Sequence, residues 1–366
     1  MLASDLRSNP LLRVALVAPI LIVFIFSFFN LSAPPDQQRA LASLTLGVVN
    51  ADEGMGPLKL SDRLLGGLGQ AVPFATTILA DEAAGRTALD QGDVAALIVI
   101  PAAFSRNAAS GEPIVLKVVA TQHLTPVESQ LGAMLGPQLQ AGISAAMASA
   151  LSAMGRTPPP LSVEVEMLHA APNNTALVVP FVATFALWIA ALAGAITLYL
   201  GSRRLAGPAL RLANLRALVP LVVTGGASLI LALAIAAFAE SWAAFFHLWL
   251  VTWLAAYALT VLLAGLLAVL REWALLLIVP VVFYQSALAG GQAPVSAMPD
   301  WLRWLGEAVP FHVLPDTYRQ VLIGGPDSGI VGWSLLAIVI GLALIYAGTY
   351  LWAGSKSAPM TESHAG

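Results

Sequence analysis

The chain contains no cysteine. That excludes disulfides, thiolate metal sites and cysteine nucleophiles. Charge is scarce too: Asp, Glu, Lys and Arg make up 10% of the 366 residues, against about 25% in an ordinary soluble domain. With 58% of its residues hydrophobic, the chain has too little polar surface to cover a soluble globule, which points to a membrane protein. The net charge of −3 supplies no basic field, so nucleic acid is not an expected partner. No phosphate-binding loop is present. Gly354-Ser355-Lys356-Ser357 lacks the required glycine spacing and follows no strand. Leu64 to Gly69 does not fit the dinucleotide pattern and reads as a flexible turn or helix break. His123, His169, His247, His312 and His364 form no pair at the i, i+4 spacing of a helical metal site. No catalytic, cofactor-binding or metal site is therefore expected on this chain, and no enzymatic activity.

What the sequence does have is long apolar runs. Val14 to Leu31 is about 18 residues, enough to cross roughly 27–30 Å of hydrocarbon as a helix. The alternative is a cleaved signal peptide, because Arg7 and Arg13 precede the run. Its length exceeds the usual apolar core of a signal, and Leu31 sits at the −3 position of the only nearby small-residue site, which ends at Ala33. Five further spans follow, at about 176–200, 217–239, 246–269, 274–289 and 330–352. Tryptophans fall near span ends at Trp242, Trp249, Trp273, Trp333 and Trp352, as an aromatic belt does. Between the last two spans lies a segment at 290–329. There Trp301, Trp304, Leu305 and Ala308 share one helical face opposite Asp300, Arg303 and Glu307, the pattern of a helix lying in the interface plane.

Between the first two spans, residues 32–174 change character and read as one mixed α/β domain. Leu44, Leu46 and Val48 alternate as in a half-buried strand, and Asn50 to Gly54 follow as a turn. Asp81 can cap a helix that runs through Gln91. Val94 to Ile100 and Ile114 to Val119 are strand candidates. After Pro126, apolar residues from Val127 to Met154 mark one face of a long helix, kinked near Pro137 and Gly142. Val163, Val165 and Met167 alternate with Glu164 and Glu166 in a last strand.

Orientation follows from the basic residues. Arg203, Arg204, Arg211 and Arg216 fall in the connection between the second and third spans, and Arg271 in that between the fourth and fifth. Arg7, Arg13 and Lys356 flank the outer ends, while Glu240 stands alone between the third and fourth spans. This pattern places residues 1–13 and 353–366 in the cytoplasm and the α/β domain outside, across a bacterial plasma membrane. The arginine-bearing connection has two readings, a topogenic loop facing lipid headgroups or a docking surface for a cytoplasmic ATPase. Charges inside the spans are almost missing, which argues against a proton-coupled carrier. Gln285 is neutral and suits helix–helix hydrogen bonding.

Four stretches carry a family resemblance. They are Val48 to Gly54, Leu89 to Ser105, Pro180 to Leu192 and Leu314 to Gly325. With the layout of one span, a domain and five spans, they resemble type-2 ABC exporter permeases, and most of all the phage-infection-protein (YhgE/Pip-like) branch in a short form. The motif positions are Asn50, Asp52, Glu53, Gly54, Pro101, Phe104, Ser105, Pro315, Thr317, Tyr318, Arg319 and Gly324. Two departures stand out: the α/β domain lacks the long coiled-coil insertion of many such proteins, and the segment before the first span is only about ten residues. The resemblance implies a permease subunit, dimeric with itself or a related chain. A separate ATPase would supply ATP hydrolysis; the substrate is expected to be amphipathic or hydrophobic because the spans offer no charged path. The second reading is a non-transporting envelope protein, a phage-receptor-like protein, secretion accessory or scaffold, whose outer domain binds a partner.

Overall fold

The computed structural model describes residues 44–55, 59–62, 65–66, 75–122, 137, 140–145, 147–148, 152, 157–203, 205, 207–288, 300, 304 and 312–356. The apolar run at 14–31, most of the long helix read after Pro126, and most of the interfacial helix around Trp301 lie outside these residues.

The first half is a five-stranded sheet. Its strands are β1 (Thr45–Asn50), β2 (Ala75–Leu79), β3 (Ala96–Ile100), β4 (Ile114–Thr121) and β5 (Leu161–His169). Their spatial order is β2-β1-β3-β4-β5. All neighbours are parallel except β3 and β4. Helix α1 (Glu82–Gln91) is capped by Asp81, whose Oδ1 accepts the Ala84 N–H at 2.8 Å, and it stops at Gly92 in the left-handed region at φ 77°. Such a carboxylate cap contributes about 1 kcal/mol. α1 lies against one sheet face, where Leu89 joins Val49, Val94, Leu97 and Val119. Helix α2 (Phe104–Ser110) covers the other face with Phe104 and Ala108, beside Leu46, Ile98, Leu116, Ile143 and Met147. β1 is thus buried on both faces, because α1 covers Val49 from the side that alternation alone assigns to solvent.

One side of this domain carries a ring of four charges. Arg86 contacts Glu82 at 2.9 Å and Glu166 at 2.6 Å, while Lys117 contacts the same carboxylates at 2.9 and 2.7 Å. The hydrogen bonds from Arg86 and Lys117 hold the Glu166 carboxyl down at about 2 and push the Glu82 carboxyl below its ordinary value.

The second half is helical: α3 (Asn174–Ser202), α4 (Ala209–Phe238), α5 (Phe245–Leu270), α6 (Ala274–Leu288), α7 (Leu314–Leu322) and α8 (Ile330–Lys356). Four stretches are long and apolar enough to cross a membrane: Asn174–Ser202, Ala209–Phe238, Trp242–Val282 and Ile330–Trp352. The third runs through α5 into α6, across a break at Arg271, which adopts φ 57°. The reading of six crossings reaches further than this. α6 has 15 residues, about 22 Å of helix, and the first run is outside the described residues.

One boundary differs from the sequence reading. The third span was expected to begin at 217, with Arg211 and Arg216 left in a loop. In the structure α4 begins at Ala209, after Pro208, and carries both arginines on the helix. Arginine is a good helix former, and Pro208 presets the chain for entry.

α5 is the centre of the helical half, packed against α3, α4 and α8. Helices in lipid gain little from burying apolar surface, so close approach of backbones replaces it. Glycines make that approach possible. A Cβ on Gly348 of α8 would fall 2.5 Å from the Ala268 carbonyl carbon of α5, and one on Gly341 would fall 2.7 Å from the Leu262 nitrogen. Backbone cannot yield as a side chain can. Gly348→Val is therefore expected to destabilise the helical half by about 3 kcal/mol. Thermal unfolding of the detergent-solubilised chain checks this, and an unchanged midpoint would show that the seam is not tight.

The two halves meet through His169 and the segment after α7. Within the α/β half, His169 Nε2 lies 2.7 Å from Asp90 Oδ1. Gly324, at φ 99°, leaves no room for a side chain, since its Cβ would fall 2.7 Å from His169 Nδ1.

Candidate functional site

Four arginines, Arg203, Arg211, Arg216 and Arg271, converge on one end of the helical half. Arg203 ends α3, and its guanidinium pairs with Glu272, in the turn between α5 and α6. Arg203 also lies 5.3 Å above the Tyr199 ring. Arg271 stacks 4.7 Å over Trp352 of α8, whose indole N–H donates to the Val269 carbonyl. Arg211 is on the first turn of α4 and exposed. Arg204 is outside the described residues. The opposite end is closed by Asn173, whose Nδ2 donates to the Phe238 carbonyl at 3.0 Å.

Arg216 departs from the expected loop position most. It is buried, 7% exposed, two turns into α4. Its Nε donates to Ser202 Oγ of α3 at 3.0 Å, and one terminal nitrogen donates to Thr349 Oγ1 of α8 at 3.1 Å. The Tyr199 ring is 6.0 Å from its guanidinium carbon. Ser202 and Thr349 in turn donate to carbonyls of their own helices. Tyr346 OH of α8 donates to Asn214 Oδ1 of α4 at 2.6 Å nearby. One cation thus ties three helices through neutral oxygens, and no carboxylate touches it among the described residues. A cation inside an apolar bundle is costly, and these hydrogen bonds offset part of that cost.

Beside it, at the turn between α3 and α4, Leu205, Gly207, Pro208, Arg211, Leu212 and Leu215 line a hollow of about 50 Å³. Leu205 is 53% exposed and Leu210 is 52% exposed.

The motif positions form two groups. In the α/β half, Asn50, Asp52, Glu53, Gly54, Pro101, Phe104 and Ser105 meet where the turn after β1 touches α2. Asp52 is 3% exposed. Its Oδ1 accepts the Ser105 N–H at 3.0 Å and the Gly54 N–H at 3.2 Å, and its Oδ2 accepts the Ser105 hydroxyl in a short contact. Ser105 Oγ also accepts the Leu60 N–H at 2.9 Å, and Asn50 Nδ2 donates to Ser61 and Asp62. The Glu53 N–H donates to Ala102 O, and Pro101 O accepts the Phe104 N–H. Burial alone would raise the Asp52 carboxyl, but hydrogen bonds from Ser105, Ser61 and Gly54 outweigh it and hold the group below its ordinary value. This cluster is a structural clasp: it holds the turn after β1 against α2.

The second group lies on α7 and just beyond. Pro315 is in its first turn; Thr317 contacts Ser328 Oγ at 2.8 Å; Tyr318 OH lies 3.3 Å from Thr252 Oγ1 of α5; Arg319 donates to Asp316 at 2.6 Å. Gly324 follows, against His169. These residues position α7 between α5 and the α/β half.

Sequence reasoning missed Tyr199, Ser202, Glu272 and Thr349 as partners of the arginines. A signal was present in Tyr199, Ser202 and Arg203, which sit at i, i+3 and i+4 and must share one helix face.

An α/β domain joined to helices apolar enough to cross a membrane, with cations gathered at one end, defines a multi-pass membrane protein. Residues 11–202, just over half of the chain, match the ABC-2 family transporter protein, and the chain belongs to that family. No curated protein matches the chain. Among solved structures it is similar to one described as "a domain of a putative ABC type-2 transporter from Thermotoga maritima MSB8". The two share 19% identity, over 34% of this chain and 86% of that one, with a TM-score of 0.26.

Proposed function

We propose that this chain is the permease subunit of an ABC-type (type-2) exporter, in the YhgE/Pip-like branch, and moves an amphipathic or hydrophobic substrate out of the cytoplasm. The observation that carries this reading is the arginine-bearing end, where an exposed apolar hollow adjoins a buried cation that joins three helices. Such an arrangement suits a surface pushed by another protein and a bundle that must respond. The positive-inside rule puts this end in the cytoplasm of a bacterial plasma membrane and the α/β domain outside. ATP hydrolysis belongs to a separate chain, and the permease works as a dimer with itself or a related chain.

Co-purification with an ATPase bearing a phosphate-binding loop is the test, followed by ATPase assays of the reconstituted pair. Arg211→Glu is expected to lower the permease-stimulated ATPase rate at least tenfold, since reversing a rim charge costs association. The variant's thermal midpoint should not move, because Arg211 is exposed. Full stimulation by Arg211→Glu would sink the docking assignment. Protease added outside intact cells should cut the α/β domain, and its protection there would overturn the topology.

A further inference from the structure

Arg271 stands where glycine is the usual residue. At the break between α5 and α6 it adopts φ 57° and ψ −138°. That is close to the first central position of a type II′ turn, where a Cβ is unfavourable. The side chain is nevertheless held in place by its stack over Trp352 of α8, 4.7 Å from the ring. It stays 43% exposed, and Glu272 Oε2 is 3.9 Å from its Nε, beyond hydrogen-bond distance. The other oxygen of Glu272 is engaged by Arg203.

The charges at this end do not balance. Arg203, Arg211, Arg216 and Arg271 gather here, and Glu272 is the carboxylate in ion-pair reach among the described residues, so four cations stand against one anion. Arg203 and Arg216 even share one ring, Tyr199, at 5.3 and 6.0 Å. Like charges held this close favour a further anion.

Depth and surroundings name its source. α3 has 29 residues, about 43 Å of helix, which matches the roughly 40–45 Å of a bilayer with its headgroup layers. Arg203, just past its last residue, therefore stands among headgroups. Beyond Arg271 the exposed surface is apolar, at Trp273 and then at Leu276 and Leu277 of α6. A soluble phosphate has no use for that strip, whereas an acyl chain does. Guanidinium forks match phosphate oxygens in pairs, and basic pockets between membrane helices hold acidic headgroups. We propose that the end of α3 and the turn between α5 and α6 form a site for one anionic phospholipid. Arg203 and Arg271 hold its phosphate, and an acyl chain lies along Trp273, Leu276 and Leu277. This inference needs insertion in a membrane and no coupling to an ATPase.

Native mass spectrometry of the full chain, released from detergent with added lipid, tests it. Phosphatidylglycerol should be retained at least fivefold more tightly than phosphatidylcholine with the same chains, about the worth of one arginine at a charged membrane surface. Arg271→Gly, which the backbone accommodates, should cut that preference about fivefold. Glu272→Gln removes the competing carboxylate and should raise the affinity for phosphatidylglycerol, a gain that a purely structural ion pair would not give. Should Arg271→Gly fail to fold, Glu272→Gln decides alone. Millimolar glycerol 3-phosphate should leave the lipid bound. Equal retention of the two lipids would overturn the inference, as would a preference that survives Arg271→Gly intact or an affinity that does not rise in Glu272→Gln. Displacement by glycerol 3-phosphate would also overturn it, by making this a site for soluble phosphate.

Discussion

Replacing Asp52 with alanine is expected to destabilise the α/β half by about 3–5 kcal/mol, because it orphans several buried donors at once. The Ser105 N–H, the Ser105 hydroxyl and the Gly54 N–H all point at its carboxylate. Without it, Ser105 also loses its fixed orientation toward the Leu60 N–H. Asp52→Asn keeps the shape but turns one acceptor into a donor facing donors, and should cost about 2 kcal/mol. Hydrogen exchange on the full chain in detergent measures both, read at the amides of β1 and β3. Acid should mimic the substitution. A carboxyl held below its unfolded value of about 3.9 stabilises the fold above that pH, and the contribution is lost as pH falls through the lower native value. The depressed Glu82 and Glu166 have the same sign. Protection in β1 and β3 that is complete at neutral pH should thus fail on acidification below about pH 4, and sooner in Asp52→Asn. Protection unchanged in Asp52→Ala would mean that the clasp is idle.

The second large effect is a split between stability and activity at Arg216. Arg216→Met keeps most of the side-chain volume and removes a buried cation whose partners are neutral oxygens. Replacing a buried charge by an apolar residue is often neutral or stabilising. The thermal midpoint should therefore hold or rise. Under the exporter reading, permease-stimulated ATP hydrolysis should fall at least tenfold, because α3, α4 and α8 lose their common fastening. Arg216→Lys should recover little, since an ammonium lacks the planar fork that reaches Ser202 and Thr349 together. A variant that unfolds, or one that is stable and fully active, would defeat this account.

Much of the fold was legible because local chemistry and tertiary structure agree. Asp81 caps α1 and the helix runs through Gln91, as its sequence pattern predicts. β-branched runs at Ala96–Ile100 and Ile114–Thr121 form the sheet centre. β2 escaped notice because Ala75–Leu79 is an edge strand, exposed along nearly all its length and without the apolar alternation that burial imposes. The second face of β1 was equally hidden, since alternation reports one buried side and not the helix that covers the other. The site was less legible. Apolar-run reading stops a span at its first arginines, whereas burial of Arg216 depends on hydroxyls of Ser202 and Thr349, distant in sequence. The Gly341 and Gly348 seam was invisible for a related reason: a glycine's importance lies in which backbone approaches it.

α5 is about 39 Å long. Near one end its Thr252 meets Tyr318 of α7, and α7 leads to the Gly324 contact with His169. Past its other end, Glu272 holds Arg203. A rigid rod held near each end transmits tilt: turning it by about 5° carries one tip roughly 3 Å relative to the other. Under the exporter reading, work done on the arginine-bearing surface would in this way be delivered to the α/β half with no intervening segment having to melt.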